Sequence, residues 1–576
     1  MSPAPNGAFA RALVANLVAN GVTRFVLCPG SRSGPLAHVL AEATSDDPPM
    51  GAPTIKLDVR VDERSAGYLA LGLAMATGDP VAVVTTSGTA VGNLLPAVME
   101  AYHGGHRLVL LTADRPFDVR GTGPNQTTDQ RGIFGRFVQL SRDVYPPTDG
   151  RTLVREAEEV VAEAMAHAAG AVPLTNPASD STGPVHLNLQ FRPPLGRDFG
   201  PWPPTDEAEF TLVEEAPVPP LPDVERGLVV AGHGAGPAAA TIASVRGWPL
   251  IAEPTSDARR GGSCVLGYAE VLEGDRVREL AGEVEFVLVV GRPTLSSGVA
   301  RLVGSAPRLW VARHGARWRE APIGSEVVSR DIPFEWVRGT PLEPGPDSWL
   351  GRWLAIGREP QVESWGPRAV AQEVVGSLGA RDLLVVGSSG PIRALDAVLP
   401  PQRVSERPRI LANRGLSGID GTVSTAMGVA LAGVGPVTAL VGDLTFLHDV
   451  GGLLVGRREE RPKVRIVVVN DGGGSIFSTL EHGATPEEIL ERVFTVPPAV
   501  RIGPLCEAYG AAHVAVGSRE ELAEALAGPP EGIDVVEALL VPEQTGLDTP
   551  TELDTPTERE SGGIRDVGLE GETIGT

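Results

Sequence analysis

Short β-branched runs alternate with helical stretches along most of the chain. Between residues 8 and 190 these runs are RFVLC, TIKLDV, VAVVTTSG, RLVLLTA and PVHLNLQ. Alternation at this spacing is typical of βαβ units, in which helices connect the strands of a parallel sheet. The first third of the chain is therefore predicted to form an α/β domain.

The same alternation occurs twice more. One set spans about residues 226–338 and contains GLVVAGHGAG, PLIAEP, EFVLVVG and PRLWVAR. Another follows GTPLEPGPDSWLG and contains DLLVVGSSG, RILANRG, PVTALVGDL, VRIVVVNDGGG and IDVVEALL. We predict an α/β protein with three consecutive Rossmann-like domains on parallel sheets, at residues 1–192, 226–345 and 346–540.

Two segments depart from this pattern. Proline is so frequent in residues 193–225 that neither a helix nor a central strand can run through them, which predicts a linker. After Leu540 the chain carries LDTPTE at 547–552 and again at 553–558. Low hydrophobicity, proline and an acidic excess predict a disordered acidic tail over residues 541–576.

The charge balance limits the partners to be expected. With 49 basic and 72 acidic residues the formal net charge is −23, which disfavours nucleic acid and anionic lipid. The longest apolar runs are far short of the roughly 20 residues of a membrane span. The N-terminus predicts a short amphipathic helix rather than a signal peptide. We expect a cytoplasmic protein that inserts into no membrane and binds no nucleic acid.

Two features are more typical of structure than of a site. Cys28, Cys264 and Cys506 lie far apart without a CxxC pair, so we expect buried thiols. GHGAG at 232–236 has Pro237 where the last small residue of a dinucleotide-binding fingerprint should stand. It is interpreted as a structural turn, with nucleotide binding as the lesser alternative.

The strongest candidate for chemistry is a pair of strand-end loops in the third set. VGDL at 441–444 is followed, after 25 residues, by NDGGGSIF at 470–477. Ligands of parallel α/β sheets gather at the carboxyl ends of strands. Carboxylates beside glycine-rich backbone suit Mg²⁺ that bridges a diphosphate. Because Gly-Asp and Asn-Asp-Gly are also common turn sequences, two unrelated turns remain the alternative.

A second candidate is Glu63, in VDERSAGYLALGLA, where an extended run gives way to a helical one. An acidic residue in the first turn of a helix is stabilised by the macrodipole by about 0.3–1 kcal/mol, so a capping role suffices locally. A catalytic role requires a partner elsewhere in the chain.

The paired loops resemble the thiamin diphosphate fingerprint, which runs from Gly-Asp-Gly to Asn-Asn over a similar interval. Leu444 replaces the last glycine of its first part, and the second part aligns with either Asn470 or Asp471 as the metal ligand. The resemblance implies thiamin diphosphate with Mg²⁺ or Mn²⁺ as cofactors. It also implies that Glu63 is the catalytic acid that activates the cofactor.

Further motifs narrow the resemblance. They are LCPGSRSGPL (27–36), DERSAGYLALGLA (62–74), VTTSGTAVGNLLPAVMEA (84–101), LTADRP (111–116), GPNQTTDQ (123–130) and NRGLSGIDGTVSTAMG (413–428). Together they are similar to the 2-succinyl-5-enolpyruvyl-6-hydroxy-3-cyclohexene-1-carboxylate synthases of menaquinone biosynthesis. The similarity runs from about residue 8 to 540 and is looser in the middle domain.

This family implies a transferase with pyrimidine, central and diphosphate domains in that order. It decarboxylates 2-oxoglutarate on thiamin diphosphate and adds the product to isochorismate, in a homodimer or homotetramer with active sites between subunits. The alternatives are another thiamin-dependent 2-oxo acid carboligase or decarboxylase, and a non-catalytic cofactor-binding homologue.

The resemblance assigns residues one by one. The metal ligands are expected among Asp443, Asp471, Asn470 and the carbonyl of Gly473. The other cofactor-binding residues would be Glu63, Ser389, Ile419, Gly442, Leu444, Gly472, Ile476 and Phe477. Since both substrates are dicarboxylates, for which guanidinium groups are natural partners, the substrate-facing residues would be Ser31, Arg32, Arg115, Gln126, Arg301, Ser389, Arg393 and Arg414.

Overall fold

The β-branched runs form the strands of three parallel sheets in the computed structural model. It describes residues 5–147, 152–171, 182–196, 200–205, 218–312, 321–329, 331–401 and 408–540. The predicted tail and parts of the predicted linker lie outside these residues.

The first sheet has the order β2-β1-β3-β4-β6-β5 in the described part of the chain, with every neighbouring pair parallel. Its strands are β1 (Arg24–Leu27), β2 (Lys56–Val59), β3 (Val81–Thr85), β4 (Leu108–Asp114), β5 (Ser141–Val144) and β6 (Val185–Gln190). Its helices are α1 (Pro5–Ala19), α2 (Gly34–Ala43), α3 (Glu63–Thr77), α4 (Thr89–Gly92), α5 (Leu95–Gly104) and α6 (Leu153–Ala168). Strands β3 and β4 are buried throughout, as expected for central parallel strands.

The second sheet has the order β11-β10-β9-β7-β8 and is also parallel. Its strands are β7 (Gly227–Ala231), β8 (Leu250–Ala252), β9 (Phe286–Val290), β10 (Leu309–Ala312) and β11 (Val327–Ser329). The helices that follow its strands are α7 (Ala238–Arg246), α8 (Tyr268–Val271), α9 (Asp275–Gly282), α10 (Ser297–Gly304), α11 (Phe334–Val337) and α12 (Trp349–Ile356). Trp349 and Trp353 of α12 pack into the core of this sheet, although the predicted third domain begins at residue 346.

The third sheet has the order β13-β12-β14-β15-β17-β16, which repeats the order of the first. Its strands are β12 (Leu383–Val386), β13 (Arg409–Leu411), β14 (Val437–Gly442), β15 (Val464–Asn470), β16 (Ala512–Val516) and β17 (Ile533–Leu539). Its helices are α13 (Pro367–Ser377), α14 (Gly390–Val398), α15 (Thr422–Ala432), α16 (Asp443–His448), α17 (Ile476–Thr479), α18 (Glu487–Leu490), α19 (Ile502–Ala508) and α20 (Arg519–Ala525).

Helix α3 of the first sheet packs closely against α15 of the third. A Cβ at Gly72 would lie 2.0 Å from the carbonyl oxygen of Thr425, and a Cβ at Gly428 would lie 2.1 Å from that of Leu69. At the end of α3, the Arg409 guanidinium donates to the carbonyl oxygens of Met75 and Ala76 at 2.7 and 2.6 Å. The two glycines thus let the helix backbones approach more closely than any side chain allows.

Three expectations from the sequence can be compared with these elements. The prediction of an amphipathic N-terminal helix is wrong, because α1 is buried from Asn6 to Leu17 except at Ala8. The three cysteines are buried thiols, as predicted. Among the described residues, no helix is both long and apolar enough to cross a membrane.

We expect Gly72→Ala to destabilise the protein, because the new methyl group meets backbone. Overpacking of this kind costs about 1–3 kcal/mol, and the thermal unfolding midpoint should fall. Gly376→Ala is the matched control, since this glycine lies in α13 and a methyl group added there would have no neighbouring atom within 4 Å. Alanine at this position should stabilise the helix by about 0.5–1 kcal/mol. Equal midpoints for the two variants would contradict close packing of α3 on α15.

Candidate functional site

The sheet orders determine where a ligand site is to be expected. In the third sheet the chain passes from β12 to β13 on one side, and then to β14 on the other side of β12. The loops after β12 and β14 therefore diverge and leave a crevice at the carboxyl ends of the strands. A cavity of about 550 Å³ lies there, lined on one side by Ser388, Ser389 and Gly390 and on the other by Gly442 and Asp443.

Asp443 begins α16 directly after β14, and its carboxylate is buried. Oδ1 accepts a hydrogen bond from the N–H of Leu444 at 2.6 Å, and Oδ2 accepts one from the N–H of Gly473 at 2.7 Å. Burial, and then the charge of Asp471, raise the pKa of Asp443 to about 6. The loops after β14 and β15 therefore meet at this carboxylate.

Asp471 and Asn470 differ in their surroundings. Asp471 lines the cavity, accepts a hydrogen bond from the Ser475 hydroxyl, and has its pKa raised by burial. The carboxamide of Asn470 points elsewhere: its Nδ2 donates to Glu537 Oε1 at 2.6 Å, and its Oδ1 accepts from the N–H of Gly472 at 3.1 Å. Asp471 is thus the side chain of the two that is presented to the cavity.

The glycines of this loop are required by its geometry. Gly472 and Gly473 have φ of +80° and +129°, which favour glycine. A Cβ at Gly473 would lie 2.5 Å from the carbonyl oxygen of Thr495. The loop therefore presents bare backbone next to the two carboxylates, an arrangement that can bind an anion and a cation together.

Other predicted residues complete the walls of the cavity. Ser389 has a φ of +69° at the start of α14, and its carbonyl oxygen accepts a hydrogen bond from Arg393 Nη1 at 2.9 Å. The predicted residues that line the cavity are Ser389, Arg393, Ile419, Gly442, Asp443, Leu444, Asp471, Gly473, Ile476 and Phe477. The structure thus brings these third-domain residues to one cavity, whereas Gly472 is not among the residues that line it.

A second group of predicted residues gathers at the carboxyl end of the first sheet. Arg115, after β4, donates from Nη1 to Ser87 Oγ at 2.9 Å and to the Gln126 carbonyl oxygen at 2.8 Å. Arg32, after β1, donates to the Phe191 carbonyl oxygen at 2.8 Å. Burial and the nearby Arg115 charge lower the pKa of Arg32, so two guanidinium groups lie close together, with exposed Ser31 beside them in sequence.

Glu63 is the first residue of α3, and the carboxylate that caps this helix belongs to Asp62, which accepts a hydrogen bond from the N–H of Arg64. Glu63 is partly exposed, and its Oε2 accepts a hydrogen bond from Asn93 Nδ2 at 3.3 Å. Arg64 Nη2 donates to the His448 carbonyl oxygen at 2.9 Å. Since Asp62 performs the capping, Glu63 is not needed for it.

The two groups remain separate within one chain. The residues that line the third-sheet cavity all lie between Glu363 and Thr479, so neither Glu63 nor the first-sheet arginines contribute to it. Arg414 is buried beside Thr294 of the second sheet. Arg301 lies apart, in a largely exposed ion pair with Glu273 at 2.6 Å.

Some residues of these sites carried little signal in the sequence. Ser87 lies in the loop after β3, and Asn93 follows α4 directly. Both belong to the motif at 84–101, but only the fold shows that Asn93 contacts Glu63 and that Ser87 contacts Arg115. Arg368 lines the cavity from the first turn of α13. Its position beyond Pro367, far from the strand-end loops, gave no indication of this.

Comparison with known proteins identifies related sequences and folds. Residues 8–133 match the family described as Thiamine pyrophosphate enzyme, N-terminal TPP binding domain, and residues 399–529 match the corresponding C-terminal TPP binding domain. The chain is 43% identical over 550 residues to the 2-succinyl-5-enolpyruvyl-6-hydroxy-3-cyclohexene-1-carboxylate synthase of Renibacterium salmoninarum, covering 92% of this chain and 93% of the relative. It is 42% identical over 564 residues to the protein of the same name from Arthrobacter sp., covering 92% and 88%.

Among solved structures, the benzoylformate decarboxylase of Polynucleobacter necessarius is similar, with a TM-score of 0.66, 17% identity, and coverage of 92% of this chain and 98% of that one. At this identity the similarity extends to the fold alone. It supports the α/β fold with three parallel sheets that the sequence predicted.

We expect the carboxylate pair to make the cofactor-free protein less stable as the pH rises. The folded-state pKa of each group lies above its ordinary value, so their stabilising contribution is complete below about pH 4 and is lost as the pH rises through about 6, the pKa of Asp443. Asp471→Asn removes one of the two groups and also the charge that, after burial, raises the pKa of the other.

Urea unfolding at a series of pH values should therefore show a smaller loss of stability in Asp471→Asn than in the unchanged protein. Asp347→Asn, which alters an exposed carboxylate, is the control and should keep the original pH dependence. The same pH dependence in all three proteins would contradict a destabilising carboxylate pair.

Proposed function

Because the chain belongs to the family of 2-succinyl-5-enolpyruvyl-6-hydroxy-3-cyclohexene-1-carboxylate synthases, we propose that it decarboxylates 2-oxoglutarate and adds the remaining four-carbon unit to isochorismate. The chain is a thiamin diphosphate-dependent transferase of menaquinone biosynthesis. The observation that carries the proposal is the third-sheet cavity, where a buried carboxylate pair meets glycine backbone at the switch point of the sheet.

The residues of this cavity fit a diphosphate held by a divalent cation. We assign Asp443, Asp471 and the Gly473 carbonyl as ligands of Mg²⁺ or Mn²⁺, with Asn470 as the alternative. Two carboxylates in a buried site repel each other, and a dication reverses that cost. No group of three His, Cys, Asp or Glu residues that could hold a metal ion occurs in the described part of the chain. Oxygen ligands from a diphosphate would complete the shell.

Thiamin diphosphate supplies, when bound, the carbon nucleophile and the electron sink for decarboxylation. Among the protein's own residues, Glu63 would move the proton that activates the cofactor. Because Asn93 holds Oε2, Oε1 is the atom available for the aminopyrimidine ring. Ile419 and Phe477, which line the cavity, would support and cover the cofactor.

We propose that two subunits share each site. Glu63 does not line the cavity of its own chain, so the glutamate would come from the partner subunit of a homodimer, or of a homotetramer built from such dimers. Exposed apolar side chains lie close in sequence to both halves of the site, with Val61 two residues before Glu63, and Leu480, Val493 and Val496 beyond the cavity loop. A partner subunit would cover these side chains.

The substrates fit the distribution of arginines. 2-Oxoglutarate and isochorismate are both dicarboxylates, and guanidinium groups bind carboxylates through paired hydrogen bonds. Arg32 and Arg115, with Ser31 and Gln126, would bind carboxylates on the first-sheet side of the shared site. Ser389, Arg393 and Arg414 would act on the third-sheet side. A substrate contact of Arg301 and a cytoplasmic location stay predictions.

The proposal predicts that the purified protein forms product from 2-oxoglutarate and isochorismate only when thiamin diphosphate and Mg²⁺ are both present. Release of carbon dioxide and loss of isochorismate absorbance should follow the same time course. Consumption of pyruvate alone, with no product from the substrate pair, would indicate a different thiamin-dependent 2-oxo acid enzyme. Failure to bind thiamin diphosphate with Mg²⁺ in calorimetry would indicate a non-catalytic homologue.

A further inference from the structure

Arg414 lies on the loop after β13 and is 3% exposed. Its Nε donates to Thr294 Oγ1 at 3.1 Å, and its Nη2 donates to the same hydroxyl and to the Thr294 carbonyl oxygen at 3.3 Å. One edge of the guanidinium is thus held by a single residue of the second sheet. Nη1 makes no hydrogen bond to the described residues and remains for a ligand.

Thr294 is itself held by Glu253, which follows β8. Glu253 Oε1 accepts hydrogen bonds from the N–H groups of Thr294 and Leu295 at 2.6 and 2.8 Å. The side chain is 1% exposed, and its Oε2 is buried without a hydrogen-bond partner among the described residues. Leaving one oxygen of a buried carboxylate without a hydrogen bond costs free energy, so a residue of this kind calls for a functional explanation.

The charges near Arg414 are consistent with a chain of contacts that runs from Glu253 through Thr294 to Arg414. Burial lowers the pKa of Arg414, the charges of Glu253 and Glu100 raise it, and Arg393 lowers it again. Arg393 lines the third-sheet cavity, so the Arg414 guanidinium lies within electrostatic range of both Glu253 and a residue of the cavity wall. The buried guanidinium therefore has the Glu253 carboxylate as a counter-charge and Arg393 of the cavity wall as a neighbouring cation.

The rest of the Arg414 loop is fixed from two directions. The N–H groups of Gly415 and Leu416 donate to the Glu100 carboxylate at 2.5 and 2.7 Å. Arg292 donates to the Gly415 carbonyl oxygen at 2.5 Å. Glu100 and Arg292 thus hold the backbone of this loop. The hydrogen bonds to Thr294, which Glu253 holds in turn, act instead on the orientation of the Arg414 side chain.

We propose that Glu253 and Thr294 are positioning residues that orient Arg414 towards a carboxylate of a dicarboxylate substrate. This inference rests on the proposed function. It gives the second sheet a part in substrate recognition, although the matched family descriptions cover only residues 8–133 and 399–529. Held on its Nε and Nη2 side, Arg414 can offer Nη1 to a carboxylate without reorganisation.

The test compares threonine variants of the holoenzyme with thiamin diphosphate and Mg²⁺. Thr294→Val removes the acceptor hydroxyl and keeps the side-chain shape, and we expect KM for one of the two substrates to rise at least about tenfold with kcat changed less than about threefold. Thr294→Ser keeps the hydroxyl and should restore that KM. Arg414→Lys should raise the KM for the same substrate.

Thr255→Val is the matched control, because Thr255 is a buried threonine near Glu253 whose hydroxyl makes no hydrogen bond to the described residues. It should leave both KM values unchanged. Unchanged KM values in Thr294→Val would overturn the proposal, as would an equal loss in Thr294→Ser or a loss confined to thermal stability. An unaltered protein that does not turn over the two substrates would refute the proposed function itself.

Discussion

The packing of α3 on α15 is the constraint on which the arrangement of the sites depends. Gly72 and Gly428 allow backbone-to-backbone approach between these helices, and Arg409 closes the end of α3 with two hydrogen bonds. Because α3 begins at Glu63, this contact fixes the glutamate relative to the third sheet of its own chain. Arg64, bound to the His448 carbonyl oxygen at the end of α16, adds a second link. Helix α16 runs from Asp443 to His448, so this short helix links the carboxylate of the third-sheet cavity to the start of α3.

The repeated strand order explains why there are two clefts of different chemistry. The first and third sheets share one topology, so each has a crevice at the same switch point. In the third sheet the crevice holds carboxylates and bare glycine backbone, which suit a metal and a diphosphate. At the carboxyl end of the first sheet lie Arg32 and Arg115, with Glu63 at the start of α3, and these groups suit carboxylate binding and proton transfer. Neither crevice contains a complete set of groups, and this is the physical reason for proposing that two subunits combine them.

Sequence reasoning found the parts whose environment is local. The central strands were predicted because buried parallel strands are continuous apolar runs. The strands β5, β11 and β16, each at an edge of its sheet, were not predicted. The strand β5 (Ser141–Val144) carries mainly polar residues, and β11 has only three residues. Which of Asn470 and Asp471 faces the cavity could not be predicted from sequence, since it depends on Glu537, which binds Asn470 from the neighbouring strand. The roles of Glu253 and Thr294 likewise depend on contacts between different sheets.

The central claim is that Glu63 of one subunit acts on the cofactor held by Asp443 of another. Complementation between Glu63→Gln and Asp443→Asn tests it most directly, because each variant alone should be nearly inactive. In a mixed dimer, one site would carry both substitutions and the other would carry neither. Co-expressed at equal levels, the two variants should recover about a quarter of the unchanged activity if subunits associate at random. Activity no greater than that of the separate variants, with mixed dimers present, would contradict a site shared between subunits.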